Sequence, residues 1–164
     1  MSKEITLVLA TENDANLIHE MKYEAFLPLY NKYHDDKTSP VMEEVEKVIR
    51  QIQSKGSDYY LIRLNGENAG AIRILQRKDE NGFMEGAYRI SPLFILPKFQ
   101  NQGIGYAAIQ KAFEQYPQAK TWSLDTIKQE EGNCHLYEKC GFLRKGGEKP
   151  INEGMTLVDY EKRL

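Results

Sequence analysis

The chain has 164 residues, 22 basic and 24 acidic side chains, a formal net charge of -2 and a mean hydropathy of -0.60. That length fits one domain, residues 1–164, with a core of its own. The near-neutral balance argues against a protein that works on nucleic acid or anionic lipid, which usually carries a net basic field, and at 28% charged and 10% aromatic residues the chain is not of a disordered type. Cys134 and Cys140 are too few for a disulfide framework and wrongly spaced for a metal pair, and no metal site is expected. With no apolar signal core and no membrane-length apolar run, the expected address is the cytoplasm.

Ile5–Leu9 reads as a short strand. Thr11 and Asp14 then suit a capping box for a helix carrying Leu17, Ile18, Met21 and Ala25 on one face. Pro28 should end or kink that helix, leaving Tyr30 to Ser39 as a polar, aromatic loop. Ser39-Pro40 predicts a second helix, with Glu43 and Glu44 in its first turn, a stripe of Val41, Val45, Val48, Ile49 and Ile52, and a stop at Gly56. Tyr59–Leu64 and Ala69–Leu75 flank the hairpin turn Asn65-Gly66-Glu67-Asn68. A charged turn from Arg77 to Gly82 leads to a long strand, Glu85–Leu96, which Pro92 must bulge or split. A helix follows over Ile104, Ala108, Ile109, Ala112 and Phe113, then a strand at Trp122–Asp125 and a short helix from Asn133 to Lys139, stopped by Gly141. Two last strands are expected near Phe142 and over Met155–Tyr160, with Gly146, Gly147 and Gly154 in their connection. Hairpins first and helical crossovers later imply an α/β (α+β) chain: a mixed sheet with helices on both faces.

The sharpest local signal is Ile95-Leu96-Pro97-Lys98-Phe99-Gln100-Asn101-Gln102-Gly103-Ile104-Gly105-Tyr106, a strand, a tight polar loop and a helix start. Free N–H groups at such an N-terminus suit an anion, phosphate above all; the alternative is a turn that uses its glycines for conformation only. No Gly-Lys-Ser/Thr follows, so it is not a Walker loop, and the missing third glycine excludes the dinucleotide fingerprint.

With its flanks, this segment resembles motif A of the GCN5-related N-acetyltransferases, Gln/Arg-x-x-Gly-x-Gly/Ala, filled here by Gln100, Gly103 and Gly105. Leu136-Tyr137-Glu138-Lys139-Cys140-Gly141-Phe142 resembles the later signature of the same family, and the order of elements resembles it over nearly the whole chain. The resemblance implies a mostly antiparallel twisted sheet whose fourth and fifth strands splay apart around acetyl-CoA. By that resemblance, the backbone of Leu93, Phe94 and Ile95 holds the pantetheine arm, and Gln100, Asn101, Gln102, Gly103, Ile104, Gly105 and Tyr106 form the pyrophosphate loop. Tyr137 is the implied general acid; the alternative is that it only packs its helix on the sheet. A phenol titrating near ~10 can protonate a thiolate whose conjugate acid titrates near ~8.5. The N–H of Ile95 or a neighbour is the implied oxyanion donor.

Asn133 departs from the family spacing: the usual asparagine lies further from the tyrosine, where Glu130 stands here. Asn133 therefore either contacts the cofactor or caps its helix. Gln102 departs too, since many relatives carry a cation there. Tyr30, Tyr33, Asp36 and Glu85 are candidates for the acceptor side, and Glu24, Asp36, Glu85 and Asp125 for a general base. The expected activity is transfer of acetyl from acetyl-CoA to a primary amine of a small molecule or protein, directly in a ternary complex; a silent acyl-CoA-binding module is the alternative. No nucleic-acid or membrane partner is expected, and a C-terminal edge strand could pair two copies.

Overall fold

The computed structural model describes residues 3–164. Its elements run β1 (Ile5–Leu9), α1 (Ala15–Tyr33), α2 (Val45–Gln53), β2 (Ser57–Leu64), β3 (Glu67–Asp79), β4 (Gly82–Ile95), α3 (Ile104–Gln115), β5 (Thr121–Ile127), α4 (Glu131–Lys139), β6 (Leu143–Asn152) and β7 (Met155–Arg163). Every strand and helix expected from the sequence is present, and the differences lie at their ends.

The Asp14 carboxylate accepts from the Thr11 N–H at 2.9 Å ahead of α1. The helix then runs through Pro28 to Tyr33, so Tyr30 and Tyr33 stand on its last turns and not in a loop. Proline removes one N–H, but tertiary bonds hold the turn beyond it. Asn152 donates to the Tyr33 carbonyl at 2.9 Å, and His34, in the left-handed region at φ 51°, closes the end by donating to Tyr30 O at 2.7 Å. The Ser39 hydroxyl does cap, accepting from Val41 N–H at 3.2 Å, but only for one 3-10 turn, Pro40–Met42. Glu43 and Glu44 are extended, and α2 begins at Val45. The extended backbone there accompanies an ion pair that ties the Glu43 carboxylate to Lys22 of α1 at 2.7 Å.

Asn65 and Gly66, at φ 51° and 86°, form the tight turn between β2 and β3. The strands β3 and β4 are longer than expected and leave only residues 80–81 between them. The bulge expected at Pro92 is there: Ile74 pairs with Ile90 and Ile72 with Leu93, so three steps on β4 oppose two on β3. That extra residue exchanges the faces of β4 beyond it. Phe94 therefore meets Phe26 of α1 at 5.8 Å, while Tyr88, before the bulge, points to the opposite face against Tyr116 of α3 at 5.1 Å. Trp122 of β5 joins that second cluster and is fully buried. Gly70 on β3 lets the bulged strand lie close, because a Cβ there would be 2.1 Å from the Phe94 carbonyl oxygen.

The sheet has seven strands in the order β1-β2-β3-β4-β5-β7-β6, antiparallel except for β4 and β5. Those two are paired only from Ala87–Thr121 to Arg89–Ser123. Past Arg89 they part, and the opening so made is the expected splay. Strand β6 is an exposed edge with irregular register between Arg144 and Glu148. Gly146 and Gly147 lie inside it, not in a connection. No helix among the described residues is long and apolar enough to cross a membrane.

Candidate active site

The parted strands open a cavity of about 520 Å³ between the end of β4, the loop before α3, and α4. Between β4 and α3 the chain turns twice into the left-handed region, at Asn101 (φ 62°) and Gly103 (φ 78°). Gln100 N–H bonds Pro97 O at 3.2 Å and Ala107 N–H bonds Gly103 O at 3.1 Å. The N–H groups between them, from Asn101 to Tyr106, have no acceptor among the described residues. All of these residues but Gln102 line the cavity at the positive end of a 12-residue helix, and a Cβ on Gly103 would meet nothing within 4 Å. A row of unpaired donors with open space before it fits a pyrophosphate, which needs many donors and no bulky side chain. Two cations stand near it. Lys3 Nζ lies 3.3 Å from the Gln102 side chain, and Lys139, over the Tyr106 ring at 4.6 Å, lines the cavity.

The wall of this cavity is a free strand edge. Leu96 N–H donates to Ala69 O at 2.8 Å, toward β3. By the alternation of a strand, Phe94 also turns its backbone to β3, while Leu93 and Ile95 turn theirs to the splay. The Gln100 side chain takes the Ile95 carbonyl at 3.0 Å. The backbone of Leu93 and the N–H of Ile95 are thus open to an extended ligand running between the strands, the shape of a pantetheine arm.

A second cavity of about 390 Å³ opens on the α1–α2 face. Phe26, Leu29, Leu93, Asn133 and Tyr137 line both, so the two are one passage through the splay. Tyr137 is at the junction. Its ring is 8% exposed and packs edge-on to Phe142 at 6.2 Å, and its hydroxyl has no hydrogen-bond partner among the described residues. Burial, with smaller contributions from Cys140, Asp125 and Cys134, pushes the phenol well above its ordinary range. It is therefore a neutral phenol with an unpaired hydroxyl at the junction. Glu130, not Asn133, occupies the capping position of α4; Asn133 lies in the first turn and faces the passage.

A family match agrees with this geometry: the acetyltransferase (GNAT) family matches residues 24–142. The chain belongs to the GNAT acetyltransferase family. No curated protein matches it. Its fold is similar to that of an acetyltransferase from Thermus thermophilus, at a TM-score of 0.72 and 20% identity over 98% of this chain and 97% of that one. It is similar to yncA from Salmonella typhimurium, solved with its cofactor acetyl-CoA, at 0.75 and 14% over 98% and 94%. A spermidine N-acetyltransferase SpeG chimera from Vibrio cholerae and hSSAT gives 0.73 and 17% over 97% and 95%. As a GNAT enzyme the chain uses acetyl-CoA as acetyl donor.

In this GNAT chain the residues read from the sequence fall into two groups. Leu93, Phe94, Ile95, Gln100, Asn101, Gly103, Ile104, Gly105, Tyr106, Asn133 and Tyr137 all line the first cavity. Gln102 is on the same loop with its side chain turned to Lys98 and Lys3. The acceptor candidates are more scattered. Tyr33 donates to Glu130, which Lys32 also binds at 2.8 Å, so this trio ties the end of α1 to the start of α4. Two hydrogen bonds, from Lys32 and then Tyr33, outweigh burial and hold Glu130 below the usual carboxylate range. Tyr30 donates to Asp36 at 2.5 Å outside the passage. Glu85 is 91% exposed beside Lys120, at the far end of β4. Of the four carboxylates considered as base, Asp125 alone lines the passage, 3.1 Å from Arg89.

The second cavity also gathers polar residues outside the sequence candidates, among them Lys22, Asp35, Glu43, Lys47, Gln51 and Arg73. A signal existed. Lys22 stands four residues after Ile18, inside the apolar stripe of α1, and Arg73 interrupts the apolar run of β3. Charges in such positions are either paired or functional.

Proposed function

We propose that this GNAT enzyme moves an acetyl group from acetyl-CoA to a primary amine by direct transfer, with Tyr137 as general acid. The observation that carries the reading is the conjunction at the splay: a neutral, unpartnered Tyr137 hydroxyl opens into the same passage as the row of free N–H groups from Asn101 to Tyr106.

Acetyl-CoA supplies an activated thioester, and the chain supplies its placement. The loop N–H groups and the α3 dipole hold the pyrophosphate without a global basic field, which a net charge of -2 does not offer. The β4 edge at Leu93 and Ile95 holds the pantetheine as an added strand. The Ile95 N–H, at the point where β5 has moved away, is the donor for the carbonyl oxygen as charge develops on it. Tyr137 delivers its proton to the departing thiolate; its elevated phenol pKa keeps it protonated across the working range. Asp125, already paired with Arg89, is best placed to hold the incoming amine as its ammonium before a proton is lost to solvent. Asn133 faces the passage one turn from Tyr137 and contacts the donor. No acyl-enzyme is invoked. Cys134 is buried, with its thiol 3.8 Å from the Ile127 carbonyl.

The test is thiol release from acetyl-CoA over a panel of amines, for wild type and Tyr137→Phe. Wild type turns over at least one amine, and the variant loses roughly tenfold or more in kcat with acetyl-CoA affinity unchanged. Equal kcat removes Tyr137 from the chemistry. Binding of acetyl-CoA without turnover of any amine assigns the chain to the silent acyl-CoA-binding class. Acetyl on Cys134 by mass spectrometry, in the absence of amine, overturns direct transfer.

A further inference from the structure

The second cavity is electrically lopsided. At its inner end Lys22, Lys47 and Arg73 outnumber the two carboxylates on their side, Glu43 and the buried Asp35, whose Oδ2 accepts from the Thr38 hydroxyl at 2.8 Å. Glu43 is used up, because its two oxygens take Lys22 at 2.7 Å and Lys47 at 2.8 Å. Arg73 is left over. Its Nε donates to the Ser91 carbonyl at 2.6 Å and its Nη1 to the Ser57 hydroxyl at 3.2 Å, and it forms no ion pair among the described residues. Burial, opposed by Tyr59 and Glu43, holds it below its ordinary value, but a guanidinium stays charged. In the same lining the Gln51 Oε1 is buried without a partner among the described residues, and the equivalent flipped amide presents an NH₂ donor at that spot.

The outer end holds the Asp125 carboxylate, whose Oδ2 pairs with Arg89 at 3.1 Å while its Oδ1 has no partner among the described residues. Asp125 lies next to Tyr137, on the far side of β4 from Arg73. Arg73 on β3 and Asp125 on β5 flank β4 beyond its last pair with β5, so their backbones stand further apart than two paired-strand spacings, roughly 10 Å, and both line the cavity between. A half-buried cation without a counter-ion, facing a carboxylate across a small cavity, matches an acceptor with charges of both signs.

We infer that the acceptor is a compact amino acid-type amine, whose ammonium lies at Asp125 beside Tyr137 and whose carboxylate pairs with Arg73. This rests on the acetyl transfer proposed above for the same passage. It sets the chain apart from a polyamine acetyltransferase, since a second ammonium would have to approach three cations, Lys22, Lys47 and Arg73, with two carboxylates already bonded, Glu43 and Asp35, to meet it. A guanidinium suits the role because it binds a carboxylate in two places at once.

The experiment titrates the full chain, saturated with CoA, with glycine, β-alanine, 4-aminobutanoate and the common α-amino acids. Matched carboxamides, 1,3-diaminopropane and spermidine are the comparison. Calorimetry gives affinity, and thiol release from acetyl-CoA gives kcat/KM. At least one carboxylate-bearing amine binds tenfold or more tighter than its carboxamide, and the diamines are poorest. Arg73→Gln erases that preference, and Arg73→Lys keeps part of it. Equal affinity for acid and amide, preference for diamines, or failure of every carboxylate to bind overturns the inference. If Arg73→Gln does not fold, the wild-type comparison and Arg73→Lys decide alone. Transfer to diamines only would sink this inference and leave the proposed function standing, whereas loss of acetyl-CoA binding by wild type would sink that function first.

Discussion

Replacing Glu43 by glutamine separates the charge of the inner ion pair from its shape. Lys22 is only 3% exposed at its side chain, and its ammonium is 2.7 Å from the Glu43 carboxylate. Burial drives the Lys22 ammonium below its ordinary value, and Glu43 pulls it part of the way back. Burial also pushes the Glu43 carboxyl up, but bonds from Lys22 and then Lys47 outweigh it and hold that group below its usual range. Glutamine keeps the volume and one acceptor and removes the countercharge. Stranding a buried charge in this way costs about 3–5 kcal/mol. For a chain of this size each kcal/mol is worth ~2–4 °C, so the melting temperature should fall by roughly 6–20 °C at pH 7. The pH dependence carries the sign. Without Glu43, the folded Lys22 pKa drops further below the unfolded ~10.4, so the unfolded chain binds more protons and stability rises with pH. The deficit therefore shrinks toward pH 10. Thermal unfolding followed by circular dichroism from pH 6 to 10 measures it, with Lys22→Met in the same chain as the rescue. A fall of less than 2 °C, or a deficit that grows with pH, refutes the reasoning.

Three further outcomes follow from particular contacts. Gly103→Val puts a β-branched residue at φ 78° with nothing for its Cβ to strike, so it should cost ~1–2 kcal/mol of stability and weaken acetyl-CoA about tenfold by displacing the N–H row. Gly103→Asn, which tolerates that conformation, should retain most of the affinity in the same titration. Gly70→Val drives a Cβ to 2.1 Å from the Phe94 carbonyl oxygen, where backbone must move, and should lower stability by roughly 3 kcal/mol or more in urea melts. Because burial raises the Tyr137 pKa, kcat of wild type should show no alkaline fall from this group up to about pH 10. A fall between pH 8 and 10 that disappears in Tyr137→Phe would count against that environment.

The elements themselves were legible because local and tertiary preferences agree in them. The Asn65-Gly66 turn, the bulge at Pro92 and the Gly103 loop each demand a backbone that few residues provide, and those residues stand there. The misreadings arise where a distant contact overrules a local signal. Pro28 reads as a stop, yet Asn152, 119 residues away from Tyr33, holds the turn beyond it. Ser39-Pro40 reads as the start of α2, yet Glu43, paired with Lys22, is extended and the helix begins at Val45. The side of the passage proposed to hold acetyl-CoA is one continuous stretch of chain plus α4, so a motif could mark it. The proposed acceptor side gathers single residues from α1, α2, β3 and β5, and only the oddity of a charge in an apolar stripe, Lys22 or Arg73, announces them.

The central claim is that the free N–H groups from Asn101 to Tyr106 and the open β4 edge at Leu93 and Ile95 hold the acetyl donor. Titration of the 15N-labelled 19.0 kDa chain with acetyl-CoA, followed by amide NMR, addresses those atoms directly. The account predicts the largest downfield shifts at Asn101 to Tyr106, with Leu93 and Ile95 next and β6 unmoved. Saturable binding that leaves those amides unshifted, or shifts centred elsewhere in the sheet, would contradict it.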